Sequence, residues 1–288
     1  MKNLHKTWFD YFLVVIFLVL LVITLYPFLN VLAISMNDAT DTLKNINFII
    51  PRKFTLTNYK YVFEEGGILQ PLLMSIAKTV VGTAAGVVCT AMLAYTLSRR
   101  DFVFHKLFTL LFVITMYVGG GMIPEYLLIM RTLKLGNNFL VYIIPGLVWV
   151  YNMILVRSFI DGLPSALQEA AQLDGANDFQ IWYKVVMPLC TPVIATIALY
   201  YAVGQWNSFM DTYLYAKDLP TLQYKLYEIM SQATMQLDTH TTTNATQAVT
   251  PMAIRMAVTV VATVPIIVVY PFVQKYFVGG MTLGAVKN

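Results

Sequence analysis

The residues best placed to do chemistry share one polar stretch, Asp161-Gly162-Leu163-Pro164-Ser165 followed by ALQEAAQLDGANDFQIWYKVVMPL. Ser165 is positioned to cap a helix, with Gln168 three residues on as its capping-box partner. Ala166 to Leu173 are good helix formers. Gly175 follows where a left-handed residue would close that helix. Asn177 or Asp178 can then cap a second helix running through Phe179, Trp182 and Tyr183 to Pro188. The chemistry on offer is recognition, not bond making. The three aromatic side chains suit a lipid interface, and they equally suit a groove on another protein. Helix physics leaves both open.

Polar residues elsewhere are few. Tyr200, Gly204 and Asn207 recur at helical spacing, with Tyr201, Gln205 and Ser208 on the adjoining face. Inside an apolar segment such groups face a bundle interior or a cavity, or they serve helix–helix packing, as Gly204 and Ser208 would. Lys78 sits inside another apolar run, where it either snorkels to the surface or points a cation into a cavity. Arg157 and Arg255 lie near the ends of such runs and read as interface anchors. Cys89 and Cys190 lack the spacing of a metal site or redox pair and read as small hydrophobes. No Gly-x-x-x-x-Gly-Lys-Ser/Thr phosphate loop is present, so the chain has no means of its own to hydrolyse ATP. No His, Glu or Asp cluster inside the apolar runs points to a membrane enzyme or channel.

The elements that must position these residues are membrane spans. Of 288 residues 58% are apolar and 12% charged, against about a quarter charged in soluble domains. Mean hydropathy is +0.66. The net charge of +4 comes without a dense basic run, so no nucleic-acid partner is expected. A span needs about 20 mostly apolar residues. Six candidates meet this, at about 11–35, 72–97, 107–130, 139–159, 187–209 and 254–272. The first is too long for a removed signal core and lacks its cleavage site. The third contains Gly119, Gly120, Gly121 and Pro124 and is expected to break near its end. Six spans place both termini on one side, and Lys2, Lys6, Arg99, Arg100, Lys106, Arg157, Lys184, Lys275 and Lys287 lean toward that side being cytoplasmic. The long connections 36–71 and 210–253 would then be external. The second is rich in Thr and Gln, and its Asn244-Ala245-Thr246 acceptor pattern is common by chance.

One resemblance draws these readings together. The spacing Glu169-Ala170-Ala171, Gly175, Val185, Met187, Pro188 resembles the EAA loop of binding-protein-dependent ABC importer permeases. Val185 and Met187 stand where that family more often has Ile and Leu, which keeps the apolar character. The whole chain is similar to MalG-like carbohydrate permeases, and within them to the LplC/YtcP group. That similarity runs through MYVGGGMIPEYLLIMRTLKLGNNFLVYIIPGLVWVYNMILVRSFIDGLP, GQWNSF and YPFVQKYFVGGMTLGAVKN.

The resemblance implies an all-α integral membrane protein of six transmembrane helices, with a MetI-like fold and a cytoplasmic coupling loop, 165–186, between helices four and five. It implies residence in a bacterial cell membrane with both termini cytoplasmic. It implies partners: a second homologous permease, two ATPase subunits that carry the ATP and magnesium, an extracellular solute-binding protein, and the lipid bilayer. This chain would bind no cofactor or metal and catalyse nothing. The expected cargo is a complex or acidic oligosaccharide; an importer for another solute, such as a polyamine, amino acid or glycerol phosphate, is the alternative. Residue by residue, Glu169 would pair with a basic group on the ATPase, and Ala170 and Ala171 would allow close approach. Gly175 would make the turn, Pro188 would open span five, and Asp174 and Phe179 would complete the dock. Lys78, Tyr200, Tyr201, Gln205 and Asn207 are the candidates for the translocation pathway, with Lys78 meeting an acidic sugar.

Overall fold

The computed structural model describes residues 8–44, 49–64, 66–238 and 250–285. The Thr/Gln-rich stretch with the Asn244 pattern, Lys2, Lys6 and Lys287 lie outside the described residues. Fourteen α-helices, α1 to α14, are present among the described residues. Three are long and apolar enough to cross a membrane alone: α1 (Trp8–Ser35), α4 (Leu69–Ser98) and, through Pro271, α14 (Pro251–Ala285). Three further crossings are bent pairs. These join α5 (His105–Tyr117) to Met122–Thr132, Phe139–Gly146 to α7 (Val150–Asp161), and Asp178–Leu189 to α11 (Thr191–Asn207), with bends of 114°, 49° and 86°. Counting each pair as one crossing gives up to six.

The chain divides into two compact units. One comprises Met1–Leu69 and Leu226–Val264. Its helix α1 leaves almost every side chain exposed, as a lipid-facing helix does when nearly all its residues are apolar. The connection after α1 is folded into two short helices, α2 (Ala39–Lys44) and α3 (Thr57–Glu64). Buried Asn37 ties it together. Its Nδ2 donates to Asp41 Oδ2 at 3.0 Å and Thr42 Oγ1 at 2.9 Å, and its Oδ1 accepts from the Lys53 amide at 2.8 Å. Asn58 closes the knot by donating to the carbonyls of Ser35 and Asn37.

The other unit, Gln70–Lys225 with Pro265–Asn288, holds the candidate sites. Its main core packs Ala91, Ala94, Tyr95 and Leu97 of α4 against Met153, Val156 and Ile160 of α7 and against Ile181, Trp182, Val186, Cys190, Val193 and Ile197. Cys190 is fully buried there, while Cys89 is half-buried; both are free thiols. A second core gathers Ile129, Leu135, Val141, Tyr142, Ile143, Tyr215 and Ala216.

Small residues on α4 make the close approach possible. A Cβ on Gly82 would lie 2.7 Å from the Gln205 amide, and one on Gly86 would lie 2.6 Å from the Tyr201 ring. This is the small-x-x-x-small stripe through which membrane helices bring their backbones together.

Two sequence expectations need correction. Span four is not one continuous helix: it is two 3₁₀ turns, Phe139–Tyr142 and Ile144–Gly146, followed by α7. Pro145 and Gly146 interrupt the ladder inside an apolar run that hides them. Pro188 does not open span five. It lies in α10 (Met187–Leu189), before the bend, and the span-five helix starts at Thr191 with Pro192 in its first turn.

Candidate functional site

The polar stretch after α7 folds as a hook. Helix α8 (Ser165–Leu173) is nine residues long. Pro164, not Ser165, is its N-cap, with φ −60° and ψ 125°, and no side chain caps it. Ser165 is therefore the first helical residue, and the expected Ser165/Gln168 capping box does not form. Proline before Ser165 supplies the extended conformation an N-cap needs, without a side-chain acceptor.

The far end of α8 closes on Gly175. The Ala176 amide donates to the Ala171 carbonyl and the Gly175 amide to the Gln172 carbonyl, each at 3.0 Å. Gly175 has φ +81°. This is the paired hydrogen bonding of a Schellman ending, which needs a residue at ease in the left-handed region.

Asn177 then caps α9 (Asp178–Gln180). Its side chain accepts from the Gln180 amide at 2.9 Å, while the Gln180 side chain accepts from the Asn177 amide at 3.0 Å. A π-helical segment, Ile181–Val186, continues into α10. The wide turn rotates Ile181, Trp182 and Val186 into the core and leaves Tyr183 outside.

The hook's residues separate into an inner and an outer set. Ala171, Ala176 and Val185 pack on the core. Glu169, Ala170, Asp174 and Gly175 are exposed. Leu173 is 90% exposed, Phe179 62% and Tyr183 63%. Ala171 thus roots the hook in the chain's own core, Ala170 is exposed, and Pro188 lies exposed at the hook's exit.

Beside Glu169 a cleft of about 660 Å³ is lined by Ser98 to Asp101, His105, Arg157, Asp161, Gln168 and Gln172, among others. Arg157 is more than an interface anchor. It donates to the Thr109 hydroxyl of α5 and pairs with Asp161 at 3.5 Å. Arg99 pairs with Asp101 at 2.8 Å. The hydrogen bonds to Asp101 push the guanidinium further into its charged form, and Arg99 in turn holds the Asp101 carboxyl below its ordinary range.

The five pathway candidates do not form one group. Lys78 neither snorkels nor offers a free cation. It is 0% exposed, with Nζ 2.5 Å from Asp211 Oδ2, 3.3 Å from the Ser208 carbonyl and 4.8 Å from the centroid of the Tyr142 ring. This corrects the expectation that Lys78 lines the pathway: its charge is already met inside the chain.

Tyr201 is equally internal. Its hydroxyl accepts from the Trp149 amide at 2.9 Å, donates to the Leu147 carbonyl at 3.2 Å and shares a 2.7 Å hydrogen bond with Thr90. It staples the break in span four to spans two and five. Buried Gln205 donates to the Tyr142 carbonyl at 3.0 Å. Both belong to helix packing, the alternative the sequence left open.

Only Tyr200 and Asn207 remain on an exposed face of α11, and the Tyr200 ring lies 6.4 Å from that of Tyr151, itself 58% exposed. Asp211 and Tyr142 had no role in the sequence reading, and Arg99 entered it only as one of the charges that set topology. One signal could have found Asp211: a lysine inside a span requires a partner, and Asp211 is the acid just past the end of span five.

Over residues 82–283 the chain matches the family described as binding-protein-dependent transport system inner membrane component. It is 36% identical over 282 residues to the polygalacturonan/rhamnogalacturonan transport system permease protein YtcP of Bacillus subtilis (strain 168), covering 97% of this chain and 98% of that one. It is 39% identical over 269 residues to the LplC protein of the same organism, covering 92% and 90%. Its structure is similar to a crystal structure of a bacterial ABC transporter involved in the import of the acidic polysaccharide alginate. The TM-score is 0.77 at 28% identity, over 96% of this chain and all of that one.

Proposed function

Because the chain belongs to the family of binding-protein-dependent transport system inner membrane components, we propose that it is one permease of a heterodimeric, ATP-driven importer of complex or acidic oligosaccharides. The observation that carries this is the hook. A rigid helix–turn–helix rooted in the core presents Leu173, Phe179 and Tyr183 outward, next to the exposed carboxylate of Glu169. Exposed apolar side chains on a capped, well-anchored element favour a protein groove as their destination. The groove is that of an ATPase subunit, with Glu169 meeting a basic group there, Ala170 permitting close approach, and Asp174 and Phe179 completing the contact.

The chain itself is non-catalytic. ATP and magnesium belong to the two ATPases, a solute-binding protein delivers cargo, and both termini are cytoplasmic with the hook. ATP-driven closure of the ATPases rocks the spans between two states, a rigid-body alternation. The cargo class rests on the relatives, whose names include a polygalacturonan/rhamnogalacturonan permease and an importer of an acidic polysaccharide. Tyr200 and Asn207, with Tyr151 beside them, offer the aromatic and amide groups that recognise sugars on a face turned away from the chain's own core.

The test is reconstitution with the ATPases, the second permease and the binding protein. Uptake of uronate-containing oligosaccharide should require ATP, and Glu169→Lys should lose both ATPase co-purification and uptake. Normal ATP-driven uptake by Glu169→Lys would remove the docking assignment.

A further inference from the structure

The hook is joined to the spans by apolar packing, and by one charged group at the inner end of span two. Arg99 follows α4 directly and is largely buried, its side chain 17% exposed. Its Nε donates to Asp101 Oδ1 at 2.9 Å and its Nη2 to Asp101 Oδ2 at 2.8 Å, which fixes the plane of the guanidinium. Held in that plane, Nη2 reaches Asp178 Oδ1 of α9 at 3.4 Å. The Gln172 amide of α8, with its oxygen turned to the donors that face it, accepts from Nη2 at 3.0 Å and Nη1 at 3.2 Å. The guanidinium also lies over the Tyr95 ring, 6.0 Å from its centroid.

A single fork therefore touches both helices of the hook, on either side of Gly175, and is rigidly mounted on span two. We propose that Arg99 is a positioning residue through which span two follows the hook. It makes no contact of its own with nucleotide or solute.

The reason is directional. Apolar contacts such as Ala171 and Ala176 on the core resist separation, but they are non-directional and permit sliding. The bidentate pairing with Asp101 fixes the guanidinium's plane, and from that plane two N–H groups converge on the Gln172 oxygen, so the link to the hook sets an angle as well as a distance. Without it, the hook can turn with its ATPase while span two lags. Lysine cannot substitute: it keeps the charge, but as a point donor it cannot hold Asp101 and bridge Gln172 to Asp178 together.

The inference rests on the proposed function, and the test separates the two. In proteoliposomes holding the full complex, ATP hydrolysis and oligosaccharide uptake are measured in the same vesicles for wild type and Arg99→Lys, with Gln172→Ala/Asp178→Ala as a second variant that leaves Arg99 in place. Both should retain stoichiometric ATPase subunits and ATP hydrolysis. Solute moved per ATP should fall by about tenfold, the scale of one lost charge-assisted hydrogen bond. Gln172→Glu, which gives the fork a carboxylate partner, should keep wild-type coupling. An unchanged ratio of uptake to hydrolysis in Arg99→Lys overturns the proposal. So does a parallel loss of both with loss of assembly, since that marks a purely structural role. A wild-type complex without ATP-dependent uptake would instead overturn the functional reading.

Discussion

Lys78 and Asp211 should respond to mutation in opposite proportion to what a pathway lysine would show. The ammonium is 1% exposed and the carboxylate 21%. Removing the carboxylate's charge with Asp211→Asn leaves a cation sealed in the chain. Breaking a buried pair in this way costs roughly 3–5 kcal/mol. The Ser208 carbonyl at 3.3 Å and the Tyr142 ring, both already in contact, still hold the ammonium and keep the loss toward the lower end of that range. The expected loss is therefore about 3 kcal/mol. Asn has one oxygen for the two acceptor roles of Asp211: kept on the Thr212 amide, now bonded to Oδ1 at 2.9 Å, it leaves an NH2 donor facing the ammonium, so the change removes the acceptor as well as the charge. Lys78→Met leaves a carboxylate that still reaches solvent, and costs only about 1–2 kcal/mol. Lys78→Met/Asp211→Asn should be no worse than Lys78→Met alone, a large coupling for two residues in contact. Thermal inactivation of the complex in nanodiscs, compared at one lipid composition, reads the order. The reasoning is refuted if Lys78→Met is the more damaging change, or if the two losses add. A second readout separates the pathway reading. Lys78→Met should lower uptake of charged and neutral oligosaccharides alike, since its cation is already engaged by Asp211.

Further outcomes follow from single contacts. Gly175→Val should cost about 1–2 kcal/mol, because φ of +81° forces a β-branched residue into the left-handed region; weaker ATPase binding with intact spans is the readout. Gly86→Leu should cost about 1–3 kcal/mol through overpacking against the Tyr201 ring, seen as a lower yield of folded protein, and Tyr201→Ala in the same chain should relieve part of it. Arg99 holds Asp101 below its ordinary value of 3.8, so the ionised pair adds stability above that value and loses it as pH falls through the lowered folded value. Hydrogen exchange of residues 165–180 in nanodiscs should therefore be unchanged by protonation of Asp101 across the neutral range, and rise only in strong acid.

What could be read in the residues was local. Gly175, Asn177 and the run between Ala166 and Leu173 specify the hook because capping and left-handed closure depend on neighbours a few positions away. Apolar length alone marks the crossings, since every backbone group in a bilayer must bond within its own helix. The misses have physical causes. Ser165 looked like a cap until Pro164 claimed the position. The interruption of span four at Pro145–Gly146 lies inside an apolar run whose composition does not change across it. The partners of Lys78 are distant in sequence, Asp211 being 133 residues away, and no local signal fixes which end of which span will face which. Tyr201 and Gln205 share spacing and polarity with Tyr200 and Asn207; only the packing of α4 against α11 decides that the first two turn inward.

That packing also explains why charges are tolerated on span two where they are. Lys78 and Arg99 sit on one continuous stretch at and just beyond α4. At 1.5 Å per residue, the run between them is about 30 Å, close to the thickness of a hydrocarbon core. The two charges therefore stand about one hydrocarbon thickness apart, so neither need lie at mid-depth, where a charge costs most. Between the two fasteners the contacts are made by Gly82 and Gly86, whose lack of side chains lets Gln205 and Tyr201 come close. Span two is thus fastened by charge at two points, to the segment after span five at one and to the hook at the other, and by shape in between. A helix held in this way cannot follow the hook at one end without drawing on the Asp211 segment at the other. Weakening Lys78–Asp211 should therefore reduce coupling as well as stability, and Arg99→Lys should reduce coupling with far less effect on stability.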